Sequence, residues 1–183
     1  FNHAFGPAGP YDNPYCIMSA MSYGALGPAA TYDRWTQGST RLAEEHTKGP
    51  GLSGATRAAC GWARVRRLDS KQLKQGVELT LAQLGDTVST LPQVIECPVT
   101  LGNGTPATYT IEFRSPLAEA DQALQPTIVL CQREGSPWST NPTWGPRSST
   151  YRSHAVIAKS GPLPTINESG VVNVEVMEMS VTQ

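Results

Sequence analysis

Apolar and polar positions alternate along much of the chain after residue 64. Val77, Leu79 and Leu81 alternate with Glu78, Thr80 and Ala82, and Tyr109, Ile111 and Phe113 alternate with Thr108, Thr110 and Glu112. A period of two with one polar face predicts half-buried strands. Residues 94–99 and 128–132 are apolar enough for central strands, and residues 154–159 give a weaker strand signal. At the end of the chain Val172, Val174 and Val176 share one parity, and Met177, Met179 and Val181 share the other. Keeping one face apolar through that flip takes an extra residue, which predicts a β-bulge near Val176 and Met177. Several strands separated by turns predict a sandwich or small barrel.

Ahead of the strands, residues 52–62 read as a short helix. Ser53 can cap it, Leu52, Ala55, Ala59 and Trp62 fall near one face, and Gly61 favours a stop. Residues 1–50 lack periodicity and carry turn signals at Gly6-Pro7, Gly9-Pro10, Asn13-Pro14, Gly27-Pro28 and Gly49-Pro50. Their aromatic residues, Tyr11, Tyr15, Tyr23, Tyr32 and Trp35, argue against disorder. Irregular chain of this length inside a domain is usually functional.

Composition narrows the classes. With 183 residues the chain fits one ordinary domain, or one module plus part of another, and can bury a core. A net charge of −1 gives no field to steer it toward nucleic acid or anionic lipid. Arg64, Arg66 and Arg67 make the one basic cluster, read as a solvated face. No apolar stretch approaches the ~18 residues that span a bilayer. Cys16, Cys60, Cys97 and Cys131 form no C-x-x-C pair, so a cysteine zinc site is not expected. Their even number suits disulfides, and spacing alone leaves every connectivity open. Sequons at Asn103-Gly104-Thr105 and Asn167-Glu168-Ser169 are compatible with secretion, whereas Asn141 precedes Pro142 and is no acceptor. No phosphate-binding glycine loop and no G-x-S-x-G elbow is present.

The segment richest in chemistry is the first. Phe1-Asn2-His3 resembles the close of the metzincin zinc motif H-E-x-x-H-x-x-G-x-x-H. Asn13-Pro14-Tyr15-Cys16-Ile17-Met18-Ser19 resembles the Met-turn of gametolysin-type and immune-inhibitor-A-type peptidases, although Cys16 stands where aspartate is usual. Cys60-Gly61-Trp62 is similar to the Leu-Gly-Trp end of the helix that follows in those families. Tyr109 to Arg114, with Asp121 and Ile128-Val129-Leu130, resembles their downstream strand pair, whose first strand ends in Glu-x-Arg. The resemblance covers residues 1–134.

Several expectations follow from it. The fold class is α+β: residues 1–64 are the lower part of a catalytic domain, with an irregular Met-turn segment and one short helix, and residues 65–183 are an antiparallel β-sandwich-like module. His3 is the third zinc ligand. Met18 lies under the metal as a soft apolar floor. In the alternative drawn from the Met-x-Tyr of astacins and serralysins, Met21 takes that place and Tyr23 is a switching ligand. The cofactor is Zn2+, which lowers the pKa of bound water to about 7. Both remaining histidines and the catalytic glutamate belong to an H-E-x-x-H helix ahead of Phe1, so this stretch alone is not a competent catalyst. The substrate is a protein or peptide and the location extracellular. Neighbouring elements in the family imply a Cys16–Cys60 disulfide, which leaves Cys97 to pair with Cys131.

Other residues have plainer readings. His46 sits in a solvated turn, since Leu42 stands where an inverted zinc motif needs histidine. His154 is a structural strand residue. Arg114 and Asp121 form an ion pair, worth about 0–1 kcal/mol if exposed. The loop at 134–150 packs Trp138 and Trp144 over the strands. A non-enzymatic secreted β-sandwich recognition or adhesion module, or an inactive peptidase homologue, would use the same strands and loop.

Overall fold

The computed structural model describes residues 4–6, 9–10, 15–16, 51–118, 121, 124–134, 152–168 and 172–179. His3, Met18, Met21, Tyr23, His46 and the tryptophans of the 134–150 loop lie outside the described residues.

Among the described residues the fold is α+β, with two short helices and a mostly antiparallel sheet. In chain order the elements are β1 (Ala4–Gly6), β2 (Gly9–Pro10), α1 (Gly54–Ala59), β3 (Val65–Arg67), α2 (Ser70–Gln75), β4 (Val94–Thr100), β5 (Pro106–Arg114), β6 (Thr127–Glu134), β7 (Arg152–Ser160), β8 (Thr165–Glu168) and β9 (Val172–Glu175). Seven strands form one sheet in the order β2-β1-β7-β6-β5-β4-β3. Strands β4 to β7 run as an antiparallel meander, while β3 and β1 join its two sides in parallel to β4 and β7. β8 and β9 pair separately. β1, from the expected first segment, shares a sheet with the strands after residue 64.

The alternation in β4, β5 and β6 sets two faces. One carries Ile95, Cys97, Tyr109, Phe113, Ile128 and Leu130, with Ile111 opposite both Ile95 and Leu130. It is covered by Leu68, by Leu73 of α2, by Leu81, and by Ile166, Val172 and Val174 of the β8–β9 ribbon. Fully buried side chains such as Leu130 and Ile166 each contribute about 1.5–3 kcal/mol through removal from water. The second face carries Val94, Thr110, Glu112, Arg114, Val129 and Cys131. Here the expectation of a solvated polar face fails, because Thr110, Glu112 and Arg114 are each 0% exposed. Helix α1 lies against β4, β5 and β6 on this side, with Ala55 packed on Val129 and Cys131.

Helix α1 forms where expected, though shorter. Ser53 caps it, accepting from the Thr56 amide at 3.3 Å. It ends in a Schellman turn: Gly61 adopts φ 73°, Gly61 N donates to Ala58 O at 3.1 Å and Trp62 N to Arg57 O at 2.8 Å. Trp62 is 57% exposed, so it does not share the buried face of Ala55.

The strand expected over Val77, Leu79 and Leu81 does not form. Gly76 at φ 75° ends α2, the run from Val77 to Thr80 is exposed, and Gln83 alone bridges to Phe113. The run stays unpaired although β3 is the last strand of the sheet. The bulge near Val176 and Met177 is absent as well. β9 stops at Glu175, Val176 N donates to Pro164 O at 3.2 Å, and Met177 is exposed while Met179 turns to the core. Ending the strand removes the parity conflict. The irregularity falls instead between Leu130 and Cys131, whose partners step from Ile157 to Ala155.

Candidate functional site

The chemistry among the described residues gathers on the second face of the sheet. Arg114, the last residue of β5, is completely buried. Its Nε donates to Asp121 Oδ2 at 2.6 Å and its Nη2 to Asp121 Oδ1, a two-pronged pair. Its Nη1 donates to Glu112 Oε1 and to the carbonyl oxygen of Tyr15, both at 2.8 Å. Glu112 Oε2 accepts the backbone N–H of Gly54 at the start of α1. Asp121 Oδ1 accepts the N–H of Gly51 at 3.2 Å. One guanidinium therefore ties together residue 15, the approach to α1, strand β5 and the turn at residue 121.

Local sequence explains the assembly. Glu112 and Arg114 are two residues apart on a strand, so they share a face. The turn after β5 brings Asp121 back, through Ala118 N to Ser115 O at 3.2 Å and Asp121 N to Ala118 O at 2.8 Å. Gly54 lets the helix approach, since a Cβ there would meet the Glu112 carboxylate and lie 2.9 Å from Val94 Cγ2.

One guanidinium faces two carboxylates, so the cluster holds one negative charge in excess when both are ionised. Burial pushes the Glu112 carboxyl above the usual carboxylate range, and the Arg114 charge and the Gly54 N–H oppose that shift. Burial acts against the Arg114 charge, but the hydrogen bonds and charges of Asp121 and Glu112 outweigh it and raise its pKa. The Tyr15 hydroxyl is raised by burial, against the pull of Arg114.

Next to Tyr15, Cys16 is fully buried, and its Sγ accepts the N–H of Ser53 at 3.4 Å. No disulfide joins the four cysteines. Both expected pairings conflict with the geometry. Cys16 touches the N-cap of α1 while Cys60 is its C-cap, about 10 Å further along a helix, beyond the ~7 Å Cα reach of a disulfide. Cys97 lies opposite Tyr109 and Cys131 opposite Thr110, so they point to opposite faces of the sheet.

The expected Arg114–Asp121 pair forms, but inside the protein. The resemblance singled out Glu112, Arg114 and Asp121 without indicating their burial. A usable signal was present: two opposite charges two residues apart on one strand face can satisfy each other away from water. Among the described residues no group of three or more His, Cys, Asp or Glu is arranged to hold a metal ion. They therefore offer no zinc site, and His3 lies outside them. Among the described residues no helix is long and apolar enough to cross a membrane. No family model matches the chain, and no curated protein or solved structure matches it either.

Proposed function

We propose that the chain is the C-terminal part of a secreted zinc-dependent endopeptidase of metzincin type, similar to gametolysin and immune inhibitor A. In this reading His3 is the third zinc ligand, Met18 the Met-turn methionine, and the remaining ligands and catalytic glutamate come from an H-E-x-x-H helix ahead of Phe1. When bound, zinc supplies a water acidic enough to lose its proton near neutral pH. The chain's own contribution is positional: it holds one imidazole and the floor beneath it. Residues 65–183 form a sandwich-like module that carries the zinc-site segment or binds substrate.

The observation that carries this reading is the Arg114 cluster. Segments that carry three of the likenesses, far apart in sequence, are tied in one buried network: the backbone at Tyr15, the start of the helix at Gly54, and the strand ending Glu112-Phe113-Arg114. Cys16 supplies the hydrogen-bond acceptor where aspartate is usual, taking the Ser53 N–H through sulfur.

The test is the complete reading frame and its product. We expect H-E-x-x-H-x-x-G directly ahead of Phe1, about one zinc per chain, and cleavage of a denatured protein substrate. His3→Ala should remove both metal and cleavage while leaving the far-ultraviolet circular dichroism unchanged. A frame without that motif would refute the peptidase and leave a secreted recognition module. The motif without its glutamate would mark an inactive homologue.

A further inference from the structure

The β4–β5 hairpin presents a modification site that the peptidase reading does not use. Its loop runs from Leu101 to Thr105, closed by Leu101 N to Thr105 O at 2.9 Å and Gly104 N to Leu101 O at 2.8 Å. Gly102, Asn103 and Gly104 are all exposed. Gly104 adopts φ 82°, and a Cβ placed on it would meet nothing within 4 Å, so the tip stands in open solvent. Asn103 Oδ1 accepts the N–H of Thr105 at 3.0 Å. That bond draws the residue bearing the acceptor hydroxyl toward the asparagine side chain. It uses the amide oxygen and leaves Nδ2 out of the turn.

We infer that Asn103 carries an N-linked glycan at the tip of this hairpin. The transferring reaction joins C1 of a lipid-diphosphate-linked oligosaccharide to Asn103 Nδ2. It breaks the bond from C1 to the diphosphate oxygen, and the lipid diphosphate leaves while the amide gives up one proton. Oδ1 remains free to keep the turn closed. The strand from Pro106 to Arg114 places the glycan roughly 25–30 Å from the Arg114 cluster. Asn167 has the same tripeptide but sits in the middle of β8, paired with Asn173, so Asn103 is the better presented acceptor.

The inference rests only on the secretory half of the proposed function, and its failure would leave the zinc chemistry untouched. The chain is expressed through a secretory pathway that glycosylates asparagine and is collected from the medium. It is then treated with a peptide N-glycosidase in heavy-oxygen water and sequenced by mass spectrometry. Asn103 should read as labelled aspartate in more than half of the copies. Thr105→Ala should abolish that signal, Thr105→Ser should keep it, and Asn103→Gln should leave the thermal midpoint within about a degree. Asn103 recovered unlabelled from secreted chain, with or without label on Asn167, overturns the inference. A reading frame without the zinc motif would overturn the peptidase and not this site.

Discussion

Replacing Arg114 by methionine keeps most of the stem volume and removes the guanidinium. Glu112 and Asp121 then remain with side chains 0% and 4% exposed and no cation beside them. Breaking a buried ion pair from one side costs about 3–5 kcal/mol. An independent ceiling comes from protonation. Each carboxyl can escape its buried charge by taking up a proton, which at about pH 7 costs roughly 1.4 kcal/mol per unit between the ambient pH and its unfolded pKa of about 4. That limits the loss to about 4 kcal/mol per carboxyl, and less for Glu112, whose pKa burial already raises in the intact protein. An expected loss of about 3–5 kcal/mol is consistent with both arguments. For a chain of this size it lowers the thermal midpoint by roughly 6–20 °C.

Its pH dependence separates this cause from loss of packing. In the variant Glu112 keeps the upward push of burial and loses the Arg114 charge that opposes it, so its folded pKa lies above its unfolded one. Such a group contributes stability that is fully present below the unfolded pKa and lost as pH rises through the folded pKa. The part of the deficit that comes from Glu112 should therefore be largest near about pH 7 and shrink to about 1 kcal/mol or less near about pH 4.5. Urea denaturation followed by tryptophan fluorescence at both pH values measures it. Arg114→Lys, which keeps the charge but loses the fork, should fall between the two proteins. A loss below about 1 kcal/mol near neutrality, typical of an exposed pair, or an equal loss at both pH values, would refute the reasoning.

Three further outcomes follow from the same face of the sheet. Gly54→Ala should destabilise by about 1–3 kcal/mol despite alanine's roughly 1 kcal/mol advantage in a helix, because the new methyl meets Glu112 and Val94; a gain on urea denaturation would mean that the helix does not sit this close. Thr110→Val should be neutral or stabilising by up to about 1 kcal/mol, since Thr110 Oγ1 is buried with no hydrogen-bond partner among the described residues; a clear loss would point to a partner. Under native alkylation at about pH 8, Cys60, which is partly exposed, should react well before Cys97, which burial and the Glu96 charge push up to about 11; comparable rates, read by mass spectrometry, would contradict the buried placement of Cys97.

The parts of this fold that were legible in the sequence are those where one local rule decides. Ser53 and Gly61 bracket a helix by capping chemistry, and the apolar runs at β4 and β6 can only lie inside a sheet. What stayed hidden required knowing a neighbour. Val77, Leu79 and Leu81 carry a strand pattern but pair with no strand, whereas the Asp69 and Gln72 side chains close a capping box on α2, a helix too short to give a periodic signal. β5 is the instructive case. Its Thr-x-Glu-x-Arg face is polar, and alternation alone assigns such a face to water. It is buried because the chain returns twice, at Gly51–Gly54 and at Asp121, to satisfy each charge. Periodicity registers only how polar a residue is and contains no term for a partner supplied from dozens of residues away. The resemblance, by contrast, singled out the motifs at 15–16, 112–114 and 121 by their order along the chain, without placing the first in contact with the others. Their meeting at one guanidinium is a long-range arrangement that hydrophobic pattern cannot supply.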